Sequence, residues 1–359
     1  MVSEGGTPPI APAAPLLKIT REQLNAFIEQ LSRHYAVHAP VVKERFTNKV
    51  FHVFDRIADP AEMVIPYTWT ILSPLKILFP PNDKLYDYTL GPEVRCKAEI
   101  DTRPRIVFGV QNCDMNAINL MDWVFVEDTP DTYYMARRQN TLFVGVNCVP
   151  DHDCFCRSIE WYEVKKGYDL YLHAIGDSMM LEVRSPEGSK LLERFAAGEP
   201  ASEREARALL DEEELRSREL QTLKMNTAAP SLPMLFTASF ESTVWDQTAA
   251  RCTSCGACHL VCPTCFCFHT AETPNARLDG GTVSRNYDGC MLRPFCEIAT
   301  GENFRFTTAA RLKHRWYRKH KYLFQRVGKS FCVGCGRCGR ECPVAIKPVE
   351  IVNDLLERL

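Results

Sequence analysis

The sequence has no long apolar run. No stretch reaches the roughly 18 consecutive apolar residues that a membrane-spanning helix needs, so no membrane span is expected. Charge of one sign is missing too: 43 Lys and Arg stand against 45 Asp and Glu, a formal net charge of −2. Without a bulk positive field, binding to nucleic acid or to an anionic membrane is not expected. Residues 1–15 lack a charged stretch followed by an apolar one, and Pro, Gly and Ala dominate them. They read as a flexible leader and not as a secretory signal, which points to a cytoplasmic protein. No G-x-G-x-x-G follows a strand pattern and no Walker loop is present, so no nucleotide site is recognisable.

What the sequence does hold is cysteine, 17 in 359 residues. In a chain without an export signal, such a count points to metal or redox chemistry rather than disulfides. Five cysteines fall between Cys96 and Cys156, and the rest lie between Cys252 and Cys342.

Local patterns place the elements. Thr20, with Gln23 three residues on, forms a capping box for a helix whose apolar stripe is Leu24, Phe27, Ile28 and Leu31. Val50–Phe54 and Met63–Pro66 read as strands. Arg105–Val110 and Leu142–Val146 are short buried-strand candidates flanking an amphipathic run through Ala117, Ile118 and Met121, an α/β unit. Tyr168–Leu172 and Met179–Val183 read as a hairpin turning at Ile175-Gly176-Asp177, and Ser202–Gln221 as a charged helix. Asn226–Pro233 reads as a linker. The expected fold is α+β: an N-terminal α/β domain over 16–235, then a mainly helical two-cluster ferredoxin-type domain over 236–359.

The second region carries one pattern twice. Cys252-x2-Cys255-x2-Cys258-x3-Cys262-Pro263 is repeated as Cys332-x2-Cys335-x2-Cys338-x3-Cys342-Pro343. This is the C-x2-C-x2-C-x3-C-P run of two-cluster ferredoxins, in which the fourth cysteine ligates the other cluster. Three thiolates two residues apart let a tight loop wrap one corner of an iron–sulfur cube, and Gly256, Gly334 and Gly336 ease the wrapping. One 4Fe–4S cluster is therefore assigned to Cys252, Cys255, Cys258 and Cys342, and a second to Cys332, Cys335, Cys338 and Cys262. Zinc is the competing reading of C-x2-C pairs; two complete copies, each ending in Cys-Pro, argue against it.

Sixty-nine residues separate Cys262 from Cys332, and Ala309–Gln325 within them has a helix-like mix of basic and aromatic residues. Arg305, Arg311, Lys313, Arg315, Arg318, Lys319 and Lys321 either offset cluster charge and dock an acidic partner or form a solvated face. Outside the motif, Cys265, Cys267 and Cys290 are expected only to lie near the first cluster. Cys113 and Cys148 each follow a predicted strand, with Cys154 and Cys156 close behind. These four are either an additional iron–sulfur site or buried, inert thiols.

The flanking stretches resemble one family. Cys262-Pro-Thr-Cys-Phe-Cys-Phe268 and Cys332-Val-Gly-Cys335-Gly-Arg-Cys338 resemble the iron–sulfur beta subunit of cytoplasmic sulfhydrogenases, and are similar to the ferredoxin-like iron–sulfur subunit of anaerobic sulfite reductase. Gly301-Glu-Asn303 with Arg305, the stretch from Arg311 to Lys321, Gly109-Val-Gln-Asn-Cys113-Asp114, Tyr133-Tyr134 with Arg137-Arg138, and Cys154-Phe-Cys156 extend the resemblance to about residues 40–359. Tyr287-Asp-Gly departs from it, where Trp-Asp-Ser is the family's pattern. The resemblance implies an electron carrier working between an NAD(P)H-linked flavoprotein and a catalytic subunit. That catalytic partner is a nickel–iron hydrogenase in one branch and a sulfite reductase in the other. A competing function is a redox-responsive iron–sulfur binding protein without turnover. A third makes the chain itself catalytic around Cys113 and Asp114, although Asp114 reads more simply as a helix cap.

Overall fold

A computed structural model describes residues 16–44, 50–149, 151–175, 178–195, 198–219 and 223–359. The leader 1–15 and the turn at Gly176-Asp177 lie outside the described residues. In chain order the strands are β1 (Leu16–Lys18), β2 (Ala36–Glu44), β3 (Val50–Arg56), β4 (Asn82–Thr89), β5 (Arg95–Ala98), β6 (Arg105–Val110), β7 (Thr141–Val146), β8 (Leu170–Ile175), β9 (Ser178–Val183), β10 (Glu199–Pro200), β11 (Phe268–Pro274) and β12 (Gly280–Tyr287). Eight of them form one sheet in the order β10-β1-β9-β8-β7-β6-β2-β3.

At its centre β2, β6, β7 and β8 run parallel, with antiparallel strands at both edges. A parallel sheet must be covered on both faces, and every residue of β6 is buried. Helix Arg21–Ser32, capped by Thr20 and Gln23 as its sequence predicts, buries Leu24, Phe27, Ile28 and Leu31 on one face. Helix Asn112–Asp122 brings Met115, Ile118 and Met121 to the other, where Leu323, Phe331 and Val333 from the cysteine-rich region join the same core. The two halves thus share apolar interior.

The structure alters several expectations. Met63–Pro66 forms no strand: Met63 and Ile65 alternate inward, and the Val64 N–H bonds the Pro40 carbonyl, but the segment enters neither sheet. Asn226–Pro233 is not an exposed tether, because Ala229 and Leu232 are buried and helix Leu232–Ala238 starts there. Its prolines, read as loop formers, occupy first-turn positions that need no N–H donor. The region after residue 236 is not helical throughout either. Its spacer folds a hairpin, β11–β12, whose exposed β11 carries no apolar alternation to announce it. The predicted helix Ala309–Gln325 is present as Thr308–Tyr317, a π-helical turn Arg318–Tyr322, and Leu323–Val327. Among the described residues no helix is long and apolar enough to cross a membrane.

The hairpin pairs with β4 to make a second sheet, β11-β12-β4-β5, built from both sides of residue 236. Asp83 on β4 holds it to the rest of the chain. Its carboxylate accepts from Arg137 Nη1 at 2.9 Å and from Arg285 Nη2 on β12 at 2.7 Å, all three side chains being buried. Removing one partner of such a group strands buried charge. Asp83→Ala is expected to cost about 3–5 kcal/mol in urea denaturation followed by circular dichroism. Adding Arg285→Met should recover part of that loss.

Candidate metal centre

Two cavities lie inside the cysteine-rich region. Cys252, Cys255 and Cys258 line the first together with Cys342 from the other motif. Cys332, Cys335 and Cys338 line the second together with Cys262. Each motif therefore sends its fourth cysteine to the cavity of its partner. Short helices that begin just after a glycine in each cysteine loop, Ala257–Leu260 and Arg337–Arg340, set this exchange. Gly256 and Gly336 precede them at φ of 80° and 72°, a backbone conformation a Cβ resists. Arg315, Trp316 and Cys338 line both cavities, so the two share a wall.

The donor set and its surroundings fit iron–sulfur clusters. Among the described residues no three cysteine sulfurs lie within 4.8 Å of one another. A tetrahedral zinc site with 2.3 Å bonds would draw four sulfurs to about 3.8 Å separations. Buried positive charge is the second observation. Arg311, Arg315 and Lys319 recur every four residues and so share one helix face, and all three are buried. Arg315 donates to the Cys258 carbonyl at 2.9 Å and to Cys265 Sγ at 3.3 Å, and Lys319 to the Thr264 carbonyl at 2.7 Å. None of the three meets a carboxylate among the ion pairs of the described residues. Such cations are costly unless negative charge is nearby, and a cluster with four thiolates supplies it. Trp316 Nε1, facing both cavities, has no acceptor. The basic stretch is thus an interior feature, and the solvated-face reading does not hold for these residues.

Electrostatics distinguish the thiols. Burial pushes Cys258 up to about 11 and Cys332 up to about 12. Cys262 is instead held well below the ordinary thiol range, first by the Cys265 thiol bonded to it and then by Lys319 and Arg315. A thiol so placed is close to the anionic form that binds metal.

The two loops differ in what covers them. Cys255 is exposed, whereas the second loop lies under the N-terminal half. Arg337 binds both carboxylate oxygens of Asp114 at 2.8 Å and the Thr70 carbonyl at 2.7 Å, with both side chains essentially inaccessible. Asp114 is therefore not a helix cap; its carboxylate belongs to this bridge. Arg340 adds a contact to Asp151. Phe155 N–H donates to the Gly334 carbonyl at 2.8 Å, and a Cβ on Gly334 would fall 2.5 Å from Cys156 Cα. Cys265 lies against Cys262 of the second cavity instead of near the first, Cys290 is buried in the electrostatic surroundings of Cys258, and Cys296 accepts from Arg305 Nε at 3.1 Å. Sequence reasoning missed Trp316 and the Asp114–Arg337 bridge. The four-residue spacing of Arg311, Arg315 and Lys319 was the available signal for an inward-facing cationic stripe.

Paired cavities lined by exchanged cysteines define an iron–sulfur protein of the dicluster kind. A family profile described as a 4Fe-4S dicluster domain matches residues 251–346. Over 345 residues the chain is 32% identical to "Sulfhydrogenase 2 subunit beta" of Pyrococcus furiosus, covering 96% of this chain and 99% of that protein. The chain belongs to the sulfhydrogenase beta-subunit family.

Arg315 touches residues of both cavities, so its charge acts on both. Arg315→Gln is expected to keep the iron content while lowering the midpoint potentials of both centres, since each reduced cluster loses a neighbouring cation. Potentiometric titration followed by electron paramagnetic resonance checks this; unchanged potentials would contradict it.

Proposed function

We propose that this chain relays electrons between an NAD(P)H-linked flavoprotein and a catalytic subunit of hydrogenase or sulfite reductase type, in a cytoplasmic complex. One cluster is held by Cys252, Cys255, Cys258 and Cys342, the other by Cys332, Cys335, Cys338 and Cys262. The observation that carries the reading is the common wall of the two cavities, one residue thick at Arg315, Trp316 and Cys338. Clusters supply one-electron carriers whose potentials follow charge, hydrogen bonding and burial. The chain's own residues do the rest. Cysteines from both motifs fix the spacing, Arg315 and Lys319 offset the charge that an added electron brings, and Trp316 stands in the wall between the two cavities.

The name of the Pyrococcus relative supports a place in a multi-subunit assembly. The exposed Cys255 supports exchange with a partner at the first cavity, because the second lies under Asp114, Asp151 and the 151–156 loop. The division assigned is residues 16–235 as the covering α/β half and 236–359 as the cluster-holding half, with helix Leu232–Ala238 and the sheet β11-β12-β4-β5 bridging the two. A redox-responsive binding protein without turnover draws on the same cysteines but gives no reason for a shared wall.

Pairs of substitutions separate the ligand sets. Cys342→Ala is expected to remove about four irons per chain. Adding Cys255→Ala should remove no more, whereas adding Cys338→Ala should remove about four further irons. Iron and sulfide assays on anaerobically prepared protein give the answer. Equal additional losses in the two double variants would refute the exchanged assignment. Electron transfer from a reduced flavoprotein to an artificial acceptor should fail in either double variant; full transfer would refute the relay.

A further inference from the structure

The second loop is covered by more than inert protein. Cys113 and Cys148 stand at the carboxyl ends of β6 and β7, neighbouring parallel strands. Cys113 also falls in the first turn of helix Asn112–Asp122, where burial and then the Asp114 carboxylate hold its thiol well above the ordinary range. Cys154 and Cys156 reach the same place from a different direction. Phe155 and Ile159, beside them in sequence, are buried in the core of the C-terminal half, which fixes their loop. Gly334 and Gly336 let it come close: a Cβ on either would lie 2.5 Å from the backbone of Cys156 or Asp153. Cys154 Sγ is 3.8 Å from the Cys335 carbonyl oxygen. Cys113, Cys154 and Cys156 all feel the Cys335 thiol electrostatically, and Cys113 feels Cys148 as well.

We propose that Cys113, Cys148, Cys154 and Cys156 hold a third iron–sulfur cluster beside the second cavity. Two further observations favour a cluster over inert thiols or zinc. Arg157, next to Cys156, stacks over the Tyr162 ring at 4.0 Å, and its buried Nε has no acceptor. That leaves an unused donor whose charge acts on the Cys156 thiol. No three of these sulfurs draw within 4.8 Å of one another, a separation wider than tetrahedral zinc thiolate geometry. On ligation each thiol gives up its proton, and the cluster takes or releases one electron with no other bond made or broken. With the reading of Cys262, Cys332, Cys335 and Cys338 as ligands, on which the relay order rests, the second cluster becomes the middle carrier. Electrons then cross the chain from the carboxyl ends of the central strands to Cys255.

Iron and sulfide are measured on anaerobically reconstituted full-length protein, with electron paramagnetic resonance of the reduced form. The parent should hold about twelve irons, and Cys154→Ala/Cys156→Ala about four fewer. The double variant is not decisive alone, because its loop packs on Gly334 and its loss could spread to the second cluster. Cys113→Ala/Cys148→Ala approaches from the sheet and should lose the same four, and the quadruple variant should lose no more than either. Conversely, Cys342→Ala/Cys338→Ala should keep about four irons with an undisturbed third signal. A parent with about eight irons, unaffected by all three N-terminal variants, overturns this proposal and leaves the two-cluster relay standing. Zinc in place of the last four irons overturns it as well. A parent whose iron depends on the N-terminal thiols alone upholds it and sinks the two-cluster assignment.

Discussion

Positive charge buried without a carboxylate is the constraint from which the cysteine-rich region takes its form. Among the described residues the hydrogen bonds of Arg315 and Lys319 go only to carbonyls, a hydroxyl and a sulfur. An interior of this kind is stable only if something anionic occupies the space between those sulfurs. The helix from Thr308 to Val327 therefore acts as a charged spine against which both motifs fold. It also explains why the spacer between the motifs is long. A compact two-motif domain has no room for such a helix, and none for the β11–β12 hairpin beside it.

The two motifs are alike in spacing and unlike in setting. Residues in register between them serve different tasks. Ser254 has a left-handed backbone and bonds Thr308 and Arg311, while its counterpart Gly334 has no side chain and so admits the 154–156 loop. Ala257 corresponds to Arg337, which grips Asp114, and exposed Leu260 corresponds to Arg340, which grips Asp151. The first motif faces outward and the second inward. The repeated cysteine pattern is directional because the residues between its cysteines differ.

How much of this was legible in the sequence follows from the range of each interaction. The Thr20–Gln23 box and the buried stripe behind it depend on neighbours three and four residues away, and were plain. The eight cysteines were plain for the same reason, since loop wrapping fixes intervals of two and three. Asp114 was misread as a cap because its true partner, Arg337, is 223 residues distant. The β11–β12 hairpin left no trace because its outer strand is polar and exposed, stabilised by ladder bonds and by Asp83 rather than by an apolar face. Gly334 was read as relief for its own loop. Nothing local could tell that another loop needs the same vacancy.

The shared sheet has a consequence for synthesis. β4 ends at Thr89 and its neighbour β12 begins at Gly280. At roughly 5–20 residues per second on the ribosome, the inner edge of β4 waits about 10–40 s for its partner. During that interval an unsatisfied row of backbone amides and carbonyls is open to any passing strand. Until the hairpin emerges, that edge of the nascent N-terminal half stays open to pairing with another chain.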